Sequence, residues 1–279
     1  MKGRESMKQT KLTVAARGRN MRCLVLKPSH AGKPLPGILW IHGGGYALGM
    51  AGMVHMSCGK LLARRYGAVL VSPAYRLSWK APYPAALQDC YAALQYMWDY
   101  AEDMGIDRTR IIVGGESAGG GLAAAVCLLA RDRGQIHIAM QIPLYPMLDC
   151  RDTESSRDNH GRAWNTKRNH WGWARYLGTQ FGPGMVSKYA SPALETDCRG
   201  LPPCYTFVSE GEPFYRETVD YVNRLKAAGV AAAVDVWPGN VHAFDMLCPW
   251  LKRSRAAKRK LCNAYAVRIC SGTERSTES

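Results

Sequence analysis

The sequence predicts an α/β fold in which a mostly parallel sheet carries helices on both faces. Three observations support this. Short, nearly continuous apolar runs recur along the chain, as strands buried on both faces require. Segments with helical spacing separate most of them. The first two runs lie close together, which predicts an antiparallel start joined to a parallel body. With 279 residues, 47% of them hydrophobic, the chain is long enough for a large core, and the whole of 1–279 is read as one domain.

The opening strands are expected at Lys11–Ala16 and Met21–Leu26. Gly37–Ile41 is an apolar run that ends in a glycine cluster, and Ala68–Ser72 is the next buried strand. A helix pattern runs from Pro84 to Ala101, with proline at its start, where a missing N–H costs nothing. Arg110–Val113 is a further strand, followed by an alanine-rich helix over Ser117–Arg131. Ile138–Ile142, Cys204–Val208 and Ala233–Trp237 complete the strands, with helices at Phe214–Ala228 and Ala256–Ile269. One polar segment, 151–182, interrupts the alternation and carries Trp164, Trp171 and Trp173. It is expected to be a small helical, lid-like insertion over the edge of the sheet. The polar tail 271–279 is expected to be disordered.

Composition excludes several classes. No apolar run approaches the roughly 20 residues of a membrane helix. The polar, basic N-terminus lacks the apolar centre of a secretory signal. The ten cysteines form no CxxC pair and no metal-site spacing. They read as free thiols of a cytoplasmic protein, with no metal. The net charge is +15, with basic residues gathered near both ends. No aromatic residues are interleaved with these charges to stack on bases, so they read as a solvated basic face, not a nucleic-acid site.

The chemistry centres on Gly115-Glu116-Ser117-Ala118-Gly119. GxSxG suits a sharp strand-to-helix turn that lifts a serine hydroxyl out of a sheet, and the flanking glycines avoid a β-carbon clash. The pattern alone is weak. Its setting, after an apolar strand and before an alanine-rich helix, is the one it requires. His42-Gly43-Gly44-Gly45 follows an earlier strand and suits an oxyanion hole, in which backbone N–H groups meet the developing negative charge. The predicted donors are the amides of Gly44, Gly45 and Ala118. His42 precedes the glycines and is read as a local hydrogen-bonding residue of that loop.

A serine nucleophile needs a base. His137 opens a predicted strand, and His160 and His170 lie in the insertion. His242 lies in a loop after the last strand, where sites of parallel sheets form, and it is the predicted base. The acid should follow the strand Cys204–Val208, where Glu210 and Glu212 are both candidates. Pro213 after Glu212 suits the first turn of a helix, which favours Glu212.

With these residues in place, the chain resembles the hormone-sensitive-lipase-like esterases of the α/β-hydrolase fold, from about Gly37 to Phe244. The shared features are HGGGYALG at His42–Gly49, SPAYRL at Ser72–Leu77, PYPAALQDC at Pro82–Cys90, GGESAGGGLA at Gly114–Ala123, PLYPMLD at Pro143–Asp149 and HAF at His242–Phe244. The resemblance implies a serine carboxylesterase acting on short-chain esters without a cofactor. In that family the acid is usually an Asp before Pro. Aligning through the proline selects Glu212 with Pro213. Members also commonly carry a longer N-terminal lid segment, whereas 36 residues precede Gly37 here. The lid is therefore expected to rest mainly on 151–182, or on a partner chain in a homo-oligomer, over an open pocket. Two other readings stand beside this one: a small amide or N-formyl hydrolase, and a non-catalytic small-molecule receptor on the same fold. The presence of His242 argues against the receptor.

Overall fold

The computed structural model describes residues 6–29, 33–180 and 185–270. Its eight strands are β1 (Met7–Ala16), β2 (Arg19–Pro28), β3 (Leu35–Ile41), β4 (Val69–Pro73), β5 (Ile106–Glu116), β6 (Met140–Leu144), β7 (Cys204–Ser209) and β8 (Ala232–Trp237). They form one sheet in the order β1-β2-β4-β3-β5-β6-β7-β8. β2 pairs antiparallel with β1 and β4, and every later pairing is parallel. The antiparallel start and parallel body predicted above are thus present. The first two strands are longer than expected, because their ladder runs unbroken from Met7 opposite Pro28 to Ala16 opposite Arg19. Arg17 and Gly18, with φ of 23° and 78°, make the tight turn between them.

The helices are α1 (Cys58–Tyr66), α2 (Ala85–Asp99), α3 (Ala101–Met104), α4 (Ala118–Arg133), α5 (Thr166–Leu177), α6 (Tyr215–Ala227), α7 (Phe244–Leu247) and α8 (Lys252–Tyr265). Alternation along the strands sends successive side chains to opposite faces. Leu39 and Ile41 join the core under α2, α4 and α6. Ile38 and Trp40 join the core under α1 and α8. Seven of the ten cysteines are buried, as small hydrophobes.

The expected strand Ile138–Ile142 begins two residues later, at Met140, so His137 is exposed in the preceding loop and opens no strand. The helix expected over Pro84–Ala101 divides into α2 and α3, and Gly105 closes the second at φ 69°. The insertion contains α5, capped by the Asn165 side chain accepting from Arg168 N. Contrary to expectation, it lies over the C-terminal ends of the strands, not over the sheet edge. Tyr176 stacks on Tyr46 at 3.9 Å, and Tyr83 N donates to Tyr176 O at 2.7 Å. Residues 181–182 of the insertion and the tail 271–279 lie outside the described residues. Beside this end of the sheet, Arg76 clamps the buried Asp89 through Nε and Nη2 and fixes the loop after β4 to α2. Among the described residues, no helix is long and apolar enough to cross a membrane.

Candidate active site

β5 is buried and apolar from Ile111, and it delivers the chain to Ser117 in an unusual conformation, φ 57° and ψ −122°. A non-glycine residue at positive φ is strained and persists only where its surroundings over-determine it. Here they do. Ser117 N donates to Leu144 O at 3.0 Å, and Ser117 O accepts from Gly121 N at 3.0 Å and Met147 N at 3.1 Å. α4 starts at once and presses on the end of β3. A β-carbon at Gly119 would stand 2.2 Å from Ile41 O and 2.4 Å from His42 O, so only glycine fits.

His242 lies between β8 and α7. Its Nε2 is 2.9 Å from Ser117 Oγ, and its Nδ1 is 3.1 Å from Glu212 Oε2. The carboxylate accepts at Nδ1, so the neutral ring carries its proton there and leaves Nε2 to accept from the serine hydroxyl. Glu212, between β7 and α6, is the acid that reaches the ring. Glu210 points outward and is exposed. Glu212 is fully buried. Burial pushes its carboxyl pKa up, and the neighbouring His242 pulls against that shift. Its Oε1 has no partner among the described residues.

Gly43–Gly45 follow β3 directly. At Gly44, φ is 119° and a β-carbon would stand 2.2 Å from Leu48 O, so the turn requires glycine. Leu48 N and Ala47 N close this turn on Gly44 O at 2.9 and 3.1 Å. Among the described residues, the amides of Gly44, Gly45 and Ala118 donate to no backbone carbonyl. Ala118 is the first residue of α4, where an N–H has no helical acceptor. His42 turns away from this group. Its Nδ1 is 2.8 Å from Gly43 O and its ring stacks on Tyr75 at 4.3 Å. Burial lowers its pKa to about 4, so it is neutral near pH 7.

The other candidate bases in the insertion lie elsewhere. His160 pairs with Asp158 on the surface, and His170 with Asp152. The structure thus brings Ser117, His242 and Glu212 together beside the Gly44–Gly45 turn and leaves out Glu210, His137, His160 and His170.

Three aromatic residues of the site were not singled out from sequence for this place. Tyr145 and Phe214 set their edges against the His242 ring, each at 5.1 Å between centroids, and Trp164 lies at 6.4 Å. Tyr145 and Phe214 had a local signal, since one lies in PLYPMLD and the other follows Glu212-Pro213. Trp164 had none. It comes from the insertion and packs on Gly45 so closely that a β-carbon there would stand 2.3 Å from its Cη2. Ser117 and His242 are only 7% and 6% exposed.

A second acidic pair lies beneath the first. Glu116 Oε2 accepts from Trp40 Nε1 at 2.7 Å, and its Oε1 accepts from Cys58 N at 3.2 Å. Asp245 accepts from Tyr145 Oη at 2.9 Å and from Cys58 Sγ at 3.3 Å. Burial, and then repulsion from Asp245, raise the Glu116 pKa to about 8. Farther out, Glu217 accepts from the amides of Leu148 and Asp149 at 2.6 and 3.2 Å and fixes the loop after β6.

A hydroxyl, imidazole and carboxyl in series, beside backbone N–H groups with no internal acceptor, can support acyl transfer. Known proteins fit this chemistry. A family model described as the alpha/beta hydrolase fold matches residues 38–246. The carboxylic ester hydrolase LipN of Mycobacterium tuberculosis is 33% identical over 250 residues, covering 87% of this chain and 66% of LipN. The ethyl acetate hydrolase of Pseudomonas putida is 31% identical, covering 78% of this chain and 67% of that protein. The chain thus spans about two thirds of the length of these relatives. Among solved structures, a bacterial heroin esterase superposes with a TM-score of 0.91 at 33% identity, covering 96% of this chain and 86% of that one. The motifs at Ser117 and Gly43–Gly45, the sheet order and these likenesses lead to one conclusion: the chain belongs to the alpha/beta hydrolase family, among its hormone-sensitive-lipase-like esterases.

Proposed function

We propose that this protein is a serine carboxylesterase that hydrolyses small, short-chain esters through an acyl-enzyme on Ser117. The observation that carries the proposal is the continuous chain from Ser117 Oγ through His242 to Glu212, with contacts of 2.9 and 3.1 Å. His242 Nε2 takes the hydroxyl proton as Ser117 Oγ attacks the ester carbonyl. The carbonyl π electrons move to oxygen, and the amides of Gly44, Gly45 and Ala118 hold the oxyanion. Glu212 stabilises the imidazolium and keeps its ring in register. The tetrahedral species collapses, the ester C–O bond breaks, and His242 returns its proton to the leaving alcohol. Water then repeats the sequence on the acyl-enzyme and releases the acid.

The test is turnover of p-nitrophenyl acetate and butyrate. Ser117→Ala is expected to lower kcat by about 10⁴-fold or more while leaving the circular dichroism spectrum unchanged. Undiminished turnover would remove Ser117 from the mechanism. In the same assay, aryl formamides hydrolysed faster than short esters would favour the amide reading.

A further inference from the structure

The +15 charge is not spread over the molecule. Residues 6–88 contain 12 Lys and Arg and no Asp or Glu, and residues 246–270 contain seven and none. The intervening 89–245 contains 19 acidic against 15 basic residues. Folding brings the two acid-free segments together. α1 belongs to the first and α8 to the second, and they lie side by side on one face of the sheet. The Tyr66 and Tyr265 rings stack at 5.0 Å near their C-terminal ends, and Tyr66 Oη donates to Cys262 O at 2.7 Å. At the other end, Cys58 Sγ at the start of α1 meets Asp245 in α7, and Ser254 in the first turn of α8 donates to the neighbouring Phe244 O at 3.1 Å. The two helices therefore run in parallel and start at the end of the sheet that carries Ser117.

The outer surface of this pair is basic. Lys252, Arg255 and Arg259 are exposed on α8, as are Arg64 and Arg65 on α1. Among the described residues, none of these five forms an ion pair with a carboxylate. The nearby acids are already engaged. Asp235 on β8 is paired with Lys260, and Asp245 is buried.

Apolar side chains stand at the start of both helices. Met50 and Met56 precede α1 and are 68% and 64% exposed, and Leu247 and Trp250 precede α8 and are 53% and 68% exposed. Cys58 and Asp245, each two residues from Met56 and Leu247 respectively, are in contact, so the segments that carry these side chains lie next to each other near the His242 loop. Aliphatic and Trp side chains at the tip of a basic face suit the boundary of a bilayer, where apolar groups enter the acyl region and cations meet anionic headgroups. A nucleic acid would use the charges but would leave Met50, Met56 and Leu247 without a role.

We propose that the α1/α8 face is a peripheral docking surface for an anionic phospholipid bilayer, seated with the Met56 and Trp250 end, and so the mouth of the site, toward the lipid. Docking does not depend on the esterase reading, so Ser117→Ala protein should bind vesicles as the wild type does.

The experiment is flotation of the full chain with phosphatidylcholine vesicles, with and without phosphatidylglycerol, at low and high salt. Binding is expected only to the anionic vesicles and should weaken with salt. The double variant Arg255→Glu/Arg259→Glu should lower the partition coefficient by about tenfold or more, and Trp250→Ser by a smaller factor. Turnover of p-nitrophenyl acetate by each variant verifies that it is folded. Equal binding to neutral and anionic vesicles, no binding to either, or full binding by the folded double variant would overturn the proposal. So would retention by random-sequence DNA under conditions that leave the vesicles empty.

Discussion

Glu212 and Glu116 are both buried carboxyl groups on either side of Ser117, and burial raises the pKa of both, yet their partners differ. Glu212 faces His242, a group that can become a cation, and one of its oxygens is held at 3.1 Å from Nδ1. Glu116 is hydrogen-bonded by neutral donors, the indole of Trp40 and the amide of Cys58, with the acid Asp245 repelling its charge and Lys258 attracting it. Burial penalises the charge of both. Partners offset part of that penalty at both, but only at Glu212 is the hydrogen-bonded partner itself ionisable, so under the proposed mechanism the offset would grow as His242 takes a proton. Burial therefore does not by itself make an acid structural. The ionisable partner separates the acid proposed to assist the reaction from the acid that holds Trp40 and Cys58.

The largest expected effect comes from breaking the first pair. Glu212→Gln keeps the shape but loses the charge that orients and stabilises the ring, and kcat should fall by about 10²- to 10⁴-fold. Glu210→Gln, on the exposed neighbour, should leave kcat within about twofold. Steady-state kinetics on p-nitrophenyl butyrate separates the two. A large loss in the Glu210 variant with little loss in the Glu212 variant would reverse the assignment.

The choice between these two residues shows how far the sequence could be read. Gly44 was legible because what excludes a β-carbon there is the nearby Leu48, and Gly115 and Gly119 were legible through the GxSxG pattern, although distant Ile41 and His42 supply part of the clash. Positions 210 and 212 both follow a strand, and spacing alone left both open until the family pattern before Pro213 favoured the second. What turns Glu212 inward is a contact between distant loops. Gly211 N donates to Gly239 O at 2.9 Å, and a β-carbon at Gly211 would stand 2.9 Å from Asn240 Cβ. Trp164 was illegible as part of the site for the same reason: it meets Gly45 only after the insertion folds over the strand ends. The positions of the strands along the chain and the antiparallel start were legible because apolar runs and their spacing report burial directly; the order of the strands in the sheet was not read from the sequence.

A smaller effect is expected at Glu116. Burial and Asp245 push its folded pKa up to about 8, above the ordinary carboxyl value of 4.5. The native state therefore holds a proton that the unfolded chain releases, and this contribution to stability is fully present below about pH 4.5 and lost as pH rises toward 8. Within that window the slope is on the order of 1.4 kcal/mol per pH unit. Asp245 and Glu217 are shifted in the same direction, so the isolating quantity is the difference between variants. Tm measured from pH 5 to 8 (about the window set by these shifts) should fall less steeply in Glu116→Gln than in the wild type. Glu116→Gln also loses one of the two acceptors facing Trp40 and Cys58, so its Tm at low pH should be lower by a few degrees. Parallel curves would show that Glu116 titrates alike in both states.

The central claim is that Ser117 is the residue made nucleophilic by this arrangement. Its most direct test is peptide-mapped mass spectrometry after treatment with a fluorophosphonate. The prediction is a single adduct on Ser117, formed readily in the wild type and in Glu210→Gln and strongly slowed in His242→Ala. A folded wild-type protein left unlabelled, or labelled on another residue, would contradict the account.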